Sequence, residues 1–219
     1  MNWSPMYLSI KVASYSTLFT AIIGILIGWV LAKCKFYGKS VFSALVTLPM
    51  VLPPTVLGYY LLITIGRQSF IGKILIERLN INLIFTWKAA VIASIIVSLP
   101  LMIRSVQSSI ESVDTTLEDV ARTLGKSELS IFFRITLPLA WKGIVGGIVL
   151  AFARSMGEFG ATLMVAGNIP GKTQTLSIAI YDAVQGGKYE QANFLVLLIS
   201  SITIIALLFI NKINMERKG

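Results

Sequence analysis

Residues 105–138 form a polar stretch that contains Leu117-Glu118-Asp119-Val120-Ala121-Arg122-Thr123-Leu124-Gly125 and ends with Ile135-Thr136-Leu137-Pro138. In the first string the apolar residues recur every three or four positions, which is typical of an amphipathic helix. Glycine readily adopts the left-handed conformation that ends a helix, so Gly125 is the predicted stop. The sequence therefore predicts a short amphipathic helix whose two flanks are attached to hydrophobic segments.

Sequence signals also mark where this helix starts and where a second one follows. The string Thr115-Thr116-Leu117-Glu118 matches a capping box, in which Thr115 is the N-cap and Glu118 reaches back to it. Ser127 can cap a second short helix, whose apolar face consists of Leu129, Phe132 and Phe133. Isolated helices shorter than ~12 residues are marginal in water. We therefore expect the first helix to lie in a groove of another molecule.

An alternative is that this helix only rests on lipid headgroups. A helix at a membrane surface carries many lysines and arginines on its polar face. From Arg104 to Lys142, however, five basic residues are balanced by five acidic ones. The mixed charge favours a protein partner over a lipid surface.

The rest of the chain is strongly hydrophobic. Its 219 residues are 55% hydrophobic and 13% charged, which is about half the charged fraction of soluble domains. A membrane-spanning helix needs ~20 apolar residues. We predict an all-α, polytopic integral membrane protein with a single domain, 1–219, and five spans, at about 12–32, 42–66, 84–104, 139–166 and 191–211. The stretch 105–138 is then a cytoplasmic loop.

Two of the predicted spans contain unusual residues. Pro49, Pro53 and Pro54 remove backbone donors from the second span, so this helix is expected to be kinked or broken and buried against neighbouring protein. Arg154 and Glu158 lie four residues apart in the fourth span, on either side of Ser155, and could neutralise each other on one helix face. This pair either stabilises helix packing or has a functional role, as charges within membrane spans often do.

The distribution of basic residues predicts the orientation. With five spans and the polar loop inside, eleven lysines and arginines are cytoplasmic, including Arg217 and Lys218, and seven are external. The positive-inside rule then places the N-terminus outside and the C-terminus in the cytoplasm. The net charge of +9 is scattered along membrane edges, which argues against a nucleic-acid partner.

Two glycine patterns each allow two interpretations. The external string Gly167-Asn168-Ile169-Pro170-Gly171-Lys172-Thr173 is one residue short of a nucleotide-binding loop, and no strand precedes it. It is either a docking turn for an external partner protein, with Gly167, Asn168, Pro170 and Gly171 as its key residues, or a plain tight turn. The spacing Gly143-x-x-x-Gly147 allows close helix packing, either within the chain or between two subunits.

The polar stretch resembles the permease subunits of ATP-binding-cassette importers. In that family a Glu-Ala-Ala triplet precedes a glycine, a nine-residue gap and Ile-x-Leu-Pro, and this chain matches with Gly125, Leu137 and Pro138. The triplet itself departs, since its register falls on Asp119-Val120-Ala121 with Glu118 one residue earlier. The resemblance implies a coupling helix that contacts the ATPase through Glu118, Asp119, Ala121, Arg122 and Gly125.

Further strings make the resemblance more specific, towards the molybdate permeases of that family. They are Phe36-Tyr37-Gly38-Lys39-Ser40, Leu48-Pro49, Pro53-Pro54, Ala151-Phe152-Ala153-Arg154-Ser155-Met156-Gly157-Glu158-Phe159-Gly160-Ala161 and the external glycine string. The resemblance implies a homodimeric molybdate permease that works with a cytoplasmic ATPase subunit and an extracellular or periplasmic binding protein. Tungstate, sulfate or thiosulfate are alternative substrates.

The inventory of reactive residues predicts neither an enzyme nor a cofactor in this chain. The sequence contains no histidine, no metal-ligand spacing and no nucleophile paired with a base. A carrier driven by an ion gradient is a further alternative, but such carriers use carboxylates within the membrane, and here only Glu158 lies inside a span. ATP hydrolysis is therefore assigned to a separate subunit.

Overall fold

The computed structural model describes residues 3–215, and all regular elements within that range are helical. In chain order they are α1 (Ser4–Lys33), α2 (Lys39–Val51), α3 (Pro54–Ile65), α4 (Phe70–Leu79), α5 (Trp87–Glu111), α6 (Thr115–Thr123), α7 (Glu128–Ile131), a π-helical turn (Phe132–Thr136), α8 (Leu137–Met156), α9 (Gly160–Ala166), α10 (Leu176–Gln185) and α11 (Tyr189–Met215). Arg217 and Lys218 lie outside the described residues.

Several helices are long and apolar enough to cross a membrane. Between residues 3 and 215 there are four such runs, namely Ser4–Lys33, Trp87–Glu111, Glu128–Met156 and Tyr189–Phe209. A fifth would be the pair α2 and α3, which is bent by 112°. The break lies at Leu52 and Pro53, where the prolines of the second predicted span interrupt the backbone bonding.

The structure corrects several predicted boundaries. Helix α5 starts at Trp87 instead of residue 84 and continues to Glu111, seven residues into the stretch predicted to be loop. The interval 139–166 is not one helix, because α8 ends at Met156 and α9 starts at Gly160. Within this chain, none of the residues of the proline-containing helix α2 is buried, and its burial against neighbouring protein stays a prediction. Helices α4 and α10 have no counterpart among the predicted spans.

Small residues bring α1 and α5 into close contact. The two helices run parallel, with Thr20 hydrogen-bonded to Ser98 at 3.1 Å in the buried interface. A Cβ atom on Gly28 would lie 2.7 Å from Cβ of Val106. Helix association in lipid depends on such close packing, because hydrocarbon offers no hydrophobic driving force between helices. This pair is the centre of the bundle.

Gly143 and Gly147 join α8 to α5. A Cβ atom on Gly147 would lie 2.8 Å from Cβ of Ser105, and a Cβ atom on Gly143 would overlap Ser109. Ser105 Oγ also donates to the carbonyl oxygen of Gly143 at 2.8 Å. Of the two interpretations of this glycine pair, the structure therefore supports packing within the chain.

The remaining helices surround this centre unevenly. Helix α3 packs on α9, where a Cβ atom on Gly58 would lie 2.6 Å from Cβ of Met164. Helix α11 packs on α8 and α10, yet only 11% of its apolar window is buried inside the chain. Most of α11 and one side of α2 thus present apolar surface outwards.

Candidate coupling surface and membrane site

Helix α6, the predicted coupling helix, starts where the sequence indicates but has a different cap. The N-cap is Asp114, whose side chain accepts a hydrogen bond from the Thr116 amide at 2.9 Å, and Thr115 is the first helical residue. This backbone bond lowers the pKa of Asp114 below its ordinary value. The predicted capping box is therefore wrong, because aspartate one residue earlier competes successfully for the helix amides.

Glu118, which was expected to complete that box, instead points into the protein. Its side chain is 2% exposed. Lys33 Nζ, at the end of α1, donates to Glu118 Oε2 at 2.7 Å, and Thr136 Oγ1, in the π-helical turn, donates to Glu118 Oε1 at 2.6 Å. One carboxylate thus connects α6 to the end of one apolar helix and to the start of another. We call Lys33, Glu118 and Thr136 the inner anchor.

Asp119 has the opposite environment. Its side chain is 67% exposed, and Arg122 Nη1 donates to it at 2.6 Å. Arg122 also donates to both carboxylate oxygens of Glu128, at 2.6 and 3.1 Å, and so connects α6 to α7. These bonds lower the pKa of Glu128 and raise the pKa of Arg122 above its ordinary value, chiefly through the bond between the two.

Gly125 ends the helix as predicted. Its φ angle is +75°, and no atom lies within 4 Å of the position that a Cβ would occupy. The amide of Lys126 donates to the carbonyl oxygen of Ala121 at 3.1 Å, which closes the last turn. A side chain here would therefore meet backbone strain but no steric contact.

The apolar stripe of α6 is divided between two surroundings. Ala121 is 7% exposed and faces the protein. Leu117, Val120 and Leu124 are 49%, 54% and 72% exposed. Together with Leu129 and Phe133, which are also exposed, they form an apolar face that we call the outer face. Exposed apolar patches of this kind mark interaction sites.

The second short helix does not end before the next apolar helix. Helix α7 is capped by Ser127, as predicted, with Ser127 Oγ accepting from the Ser130 amide at 3.4 Å. It then continues through the π-helical turn into α8. Leu137 and Pro138 are the first two residues of α8. No loop therefore separates α7 from α8.

Arg154 and Glu158 do form an ion pair, but not on one helix face. Arg154 Nη2 lies 3.0 Å from Glu158 Oε2. Helix α8 ends between them, and Glu158 Oε1 accepts from the amide of Ala161 in the first turn of α9 at 2.9 Å. Glu158 is 2% exposed, whereas Arg154 is 34% exposed. The pair thus joins two helices across a break, with the neighbouring Ser155 buried.

The exposed side of Arg154 lines a cavity at the bend of α2 and α3. This cavity has a volume of about 290 Å³, and Pro49 and Pro54 line it together with Arg154. Pro53 precedes the first residue of α3 at the same bend. The structure therefore brings the three prolines and the arginine, which are distant in sequence, to one place.

The glycine string from 167 to 173 is an ordered turn. Gly167 and Gly171 have positive φ angles of +70° and +77°. Thr173 Oγ1 donates to the Gly167 carbonyl at 3.2 Å, and Asn168 Nδ2 donates to Asp182 Oδ1 at 2.9 Å. Asn168 and Pro170 are exposed. The bond from Asn168 to Asp182 in α10 thus holds the exposed part of this turn in place.

Sequence reasoning did not find Lys33, Thr136 or Asp114. Lys33 lies 85 residues before its partner Glu118, and no local pattern links two positions so far apart. Asp114 could have been recognised, because aspartate is as good an N-cap as threonine or better.

Comparison with known proteins identifies relatives of the whole chain. The family described as binding-protein-dependent transport system inner membrane component matches residues 24–214. The molybdenum transport system permease protein ModB of Escherichia coli (strain K12) is 43% identical over 222 residues, which cover 100% of this chain and 97% of that protein. ModB of Haemophilus influenzae is 44% identical, covering 95% of this chain and 91% of that protein.

More distant proteins share the fold. The sulfate transport system permease protein CysT of Salmonella typhimurium is 32% identical, covering 92% of this chain and 73% of that protein. Among solved structures, the inward-facing MetNI methionine ABC transporter superposes with a TM-score of 0.73 at 16% identity, covering 95% of this chain and 92% of the matched chain.

Proposed function

This chain belongs to the family of binding-protein-dependent transport system inner membrane components, and from that membership we propose that it is the membrane-spanning subunit of an ATP-driven molybdate importer. The observation that carries the proposal is whole-chain identity of 43–44% to molybdenum permeases. It is supported by helix α6, which is bonded on one side to the ends of two apolar helices and is exposed on the other. The chain is a transport subunit, and ATP hydrolysis takes place on a separate partner.

Molybdate is favoured over related anions by the relatives. Molybdate, tungstate and sulfate are all tetrahedral dianions, so charge and shape separate them poorly. Identity to the sulfate permease is 32%, lower than to the molybdenum permeases. We assign molybdate as the substrate on this difference, with tungstate and sulfate or thiosulfate as the anions to compare.

In the proposed mechanism, the coupling helix α6 uses its two faces differently. The outer face, with Asp119 and Arg122 at its edge, is exposed and suits a cleft of the partner ATPase. The inner anchor on the opposite side connects α6 to α1 and α8. Movement of the ATPase would therefore act on Asp119, Arg122 and the outer face, and Glu118 would pass that movement to the membrane helices. The conformations bound to different nucleotides must present different surfaces to α6.

We propose that the membrane part has five spans, with α2 and α3 as one broken span, and works as a homodimer. The bend of 112° between the apolar helices α2 and α3 supports one broken span, and the homodimer rests on the resemblance to importer permeases. The anion route would then lie between subunits, near the cavity lined by Pro49, Pro54 and Arg154. The N-terminus would be external and the C-terminus cytoplasmic.

The external turn is proposed to receive the molybdate-binding protein. Asn168 and Pro170 are exposed at its tip, and the bond from Asn168 to Asp182 fixes its shape. A preformed rigid turn reduces the entropy lost on docking.

The decisive experiment is uptake into proteoliposomes that contain this chain, its ATPase partner and the binding protein. We expect molybdate accumulation only with internal ATP and with all three components, and competition by tungstate stronger than by sulfate. Uptake driven by a proton or sodium gradient without ATP would show a secondary carrier instead. If uptake depends on ATP but sulfate is the strongest competitor, the protein is an ATP-driven importer whose substrate is sulfate instead of molybdate.

A further inference from the structure

A basic groove lies between the N-terminal ends of α1 and α5. Its volume is about 420 Å³, and Lys11, Lys88 and Lys172 line it with Tyr7 and Trp87. The residues described as lining it include no acidic side chain. Lys11 is held in place, because its Nζ lies 4.0 Å from the centroid of the Trp87 ring. The groove therefore concentrates positive charge from three separate segments of the chain.

A second groove continues from the first along the same two helices. It has a volume of about 430 Å³, and its lining includes Tyr15, Phe19, Val91 and Ile95. Trp87 and Lys88 line both grooves. Since α1 and α5 run parallel, Phe19 and Ile95 lie two turns deeper than the lysines. The basic groove thus opens directly into an apolar channel directed towards the membrane interior.

We propose that the two grooves together bind one anionic phospholipid, in the leaflet at the N-terminal ends of α1 and α5. The phosphate would contact Lys11, Lys88 and Lys172, and an acyl chain would lie on Phe19 and Ile95. Tryptophan and tyrosine prefer the depth of the headgroups in a bilayer, which places Trp87 and Tyr7 at the level of the phosphate.

Charge and shape together select this occupant. A free anion such as phosphate or molybdate would use the lysines but leave the apolar groove empty. A zwitterionic phospholipid such as phosphatidylcholine would fill the apolar groove and bring a phosphate to the lysines, but its cationic choline group would lie beside them and offset that attraction. Only a ligand with an anionic head and a hydrocarbon tail satisfies both grooves at once.

The site also accounts for lysines that the orientation rule does not favour. If the N-terminus is external, Lys11, Lys88 and Lys172 all lie on the side where basic residues are depleted. A lipid phosphate in contact with them gives these residues a binding role. The interaction does not depend on the transported solute.

The test is lipid retention by the full-length protein purified in detergent, measured by native mass spectrometry. We expect phosphatidylglycerol to bind more tightly than phosphatidylcholine with the same acyl chains. Lys88→Gln and Lys172→Gln should each weaken phosphatidylglycerol binding roughly fivefold. The reason is that each basic residue near an anionic lipid surface contributes about 1 kcal/mol of binding free energy, which corresponds to that factor. The matched control is Lys73→Gln, which removes an exposed lysine on α4 outside both grooves and should leave binding unchanged.

A second arm separates the lipid from a free anion. Ile95→Trp fills the apolar groove and should reduce phosphatidylglycerol retention while it leaves the lysines intact. Inorganic phosphate and molybdate, each added at the same concentration as the lipid, should fail to displace it. Equal binding of the two lipids, equal loss in Lys73→Gln, or displacement by molybdate would each overturn the proposal. Because no step requires uptake, failure here is distinguishable from failure of the transport assignment.

Discussion

Two adjacent carboxylates, Glu118 and Asp119, have different environments although the sequence offers them equally. Asp119 carries the register of the family's acid and is exposed. Glu118 is buried and bonded to Lys33 and Thr136. A buried carboxylate with two donors is costly to disturb, because removing it leaves those donors unpaired. We therefore propose that Asp119 docks against the ATPase and that Glu118 transmits the movement of the ATPase to the membrane helices.

Glu118→Gln tests transmission. The substitution removes the charge that Lys33 contacts, and we expect ATPase activity to persist while molybdate uptake per ATP falls about fivefold. Loss of a buried partner costs ~1–3 kcal/mol, and the lower end applies because Lys33 is 21% exposed. The measurement is uptake and phosphate release in the same proteoliposomes.

Glu111→Gln is the matched control, since Glu111 is exposed and bonded to Gln107 on the same side of the molecule. It should keep full coupling. If Glu118→Gln couples as well as Glu111→Gln, the inner anchor does not transmit motion.

Gly125→Val tests the left-handed end of α6. Valine at φ +75° is strained by ~1–2 kcal/mol, although no atom obstructs the side chain. We expect weaker ATPase stimulation and uptake with normal membrane insertion, whereas Gly125→Asn should be tolerated. Gly187→Val is the control, because Gly187 also has a positive φ and open space but lies outside the coupling loop. Equal loss of coupling in both valine variants would contradict the assignment.

At the scale of elements, the break between α8 and α9 is held by one ion pair. Glu158 bonds both to Arg154 in α8 and to the first turn of α9. The pair therefore sets the relation between two helices, and the same arginine faces the cavity at the bend of α2 and α3. Packing and solute contact are separable by mutation.

Arg154→Met should reduce the yield of assembled transporter, because it leaves the buried carboxylate of Glu158 without its ionic partner, at a cost of ~1–3 kcal/mol. Arg154→Met with Glu158→Gln should restore much of that yield, since no charge is then left alone. The measurements are the amount of complex by size-exclusion chromatography and the KM for molybdate uptake. A double variant that assembles fully but takes up no molybdate would show that the guanidinium contacts the anion.

At the scale of the whole molecule, the arrangement depends on which side of the membrane the inner anchor faces. Helix α6, the end of α1 and the start of α8 all lie at one end of the bundle, joined by Glu118. The glycine turn at residues 167–173, which is proposed to be external, is joined to α10 by the bond from Asn168 to Asp182. An alternating-access transporter needs its motor and its solute receptor on opposite faces.

The native cysteine tests this orientation. Cys34 directly follows α1, next to Lys33 of the inner anchor, and should not react with a membrane-impermeant maleimide added to intact cells. A Cys34→Ser, Lys188→Cys variant should react, because Lys188 is exposed between α10 and α11. If Cys34 is labelled and the cysteine at position 188 is not, the orientation of the chain in the membrane is opposite to the one proposed.

Local and short-range patterns were enough for the all-helical class, for the helix stop at Gly125 and for the interruption caused by Pro53. These features depend on apolar periodicity, on a single glycine φ and on missing backbone donors, all of which act within a few residues. Tertiary structure alone decided that Glu118 turns inward, that Gly143 and Gly147 face α5, and that Arg154 meets the prolines of a distant helix. Each of these depends on contacts between residues that are far apart in the sequence. Only the packing of helices brings such residues together. The partner of a buried charge or of a small residue is therefore selected by which helices approach each other closely, and not by local propensity.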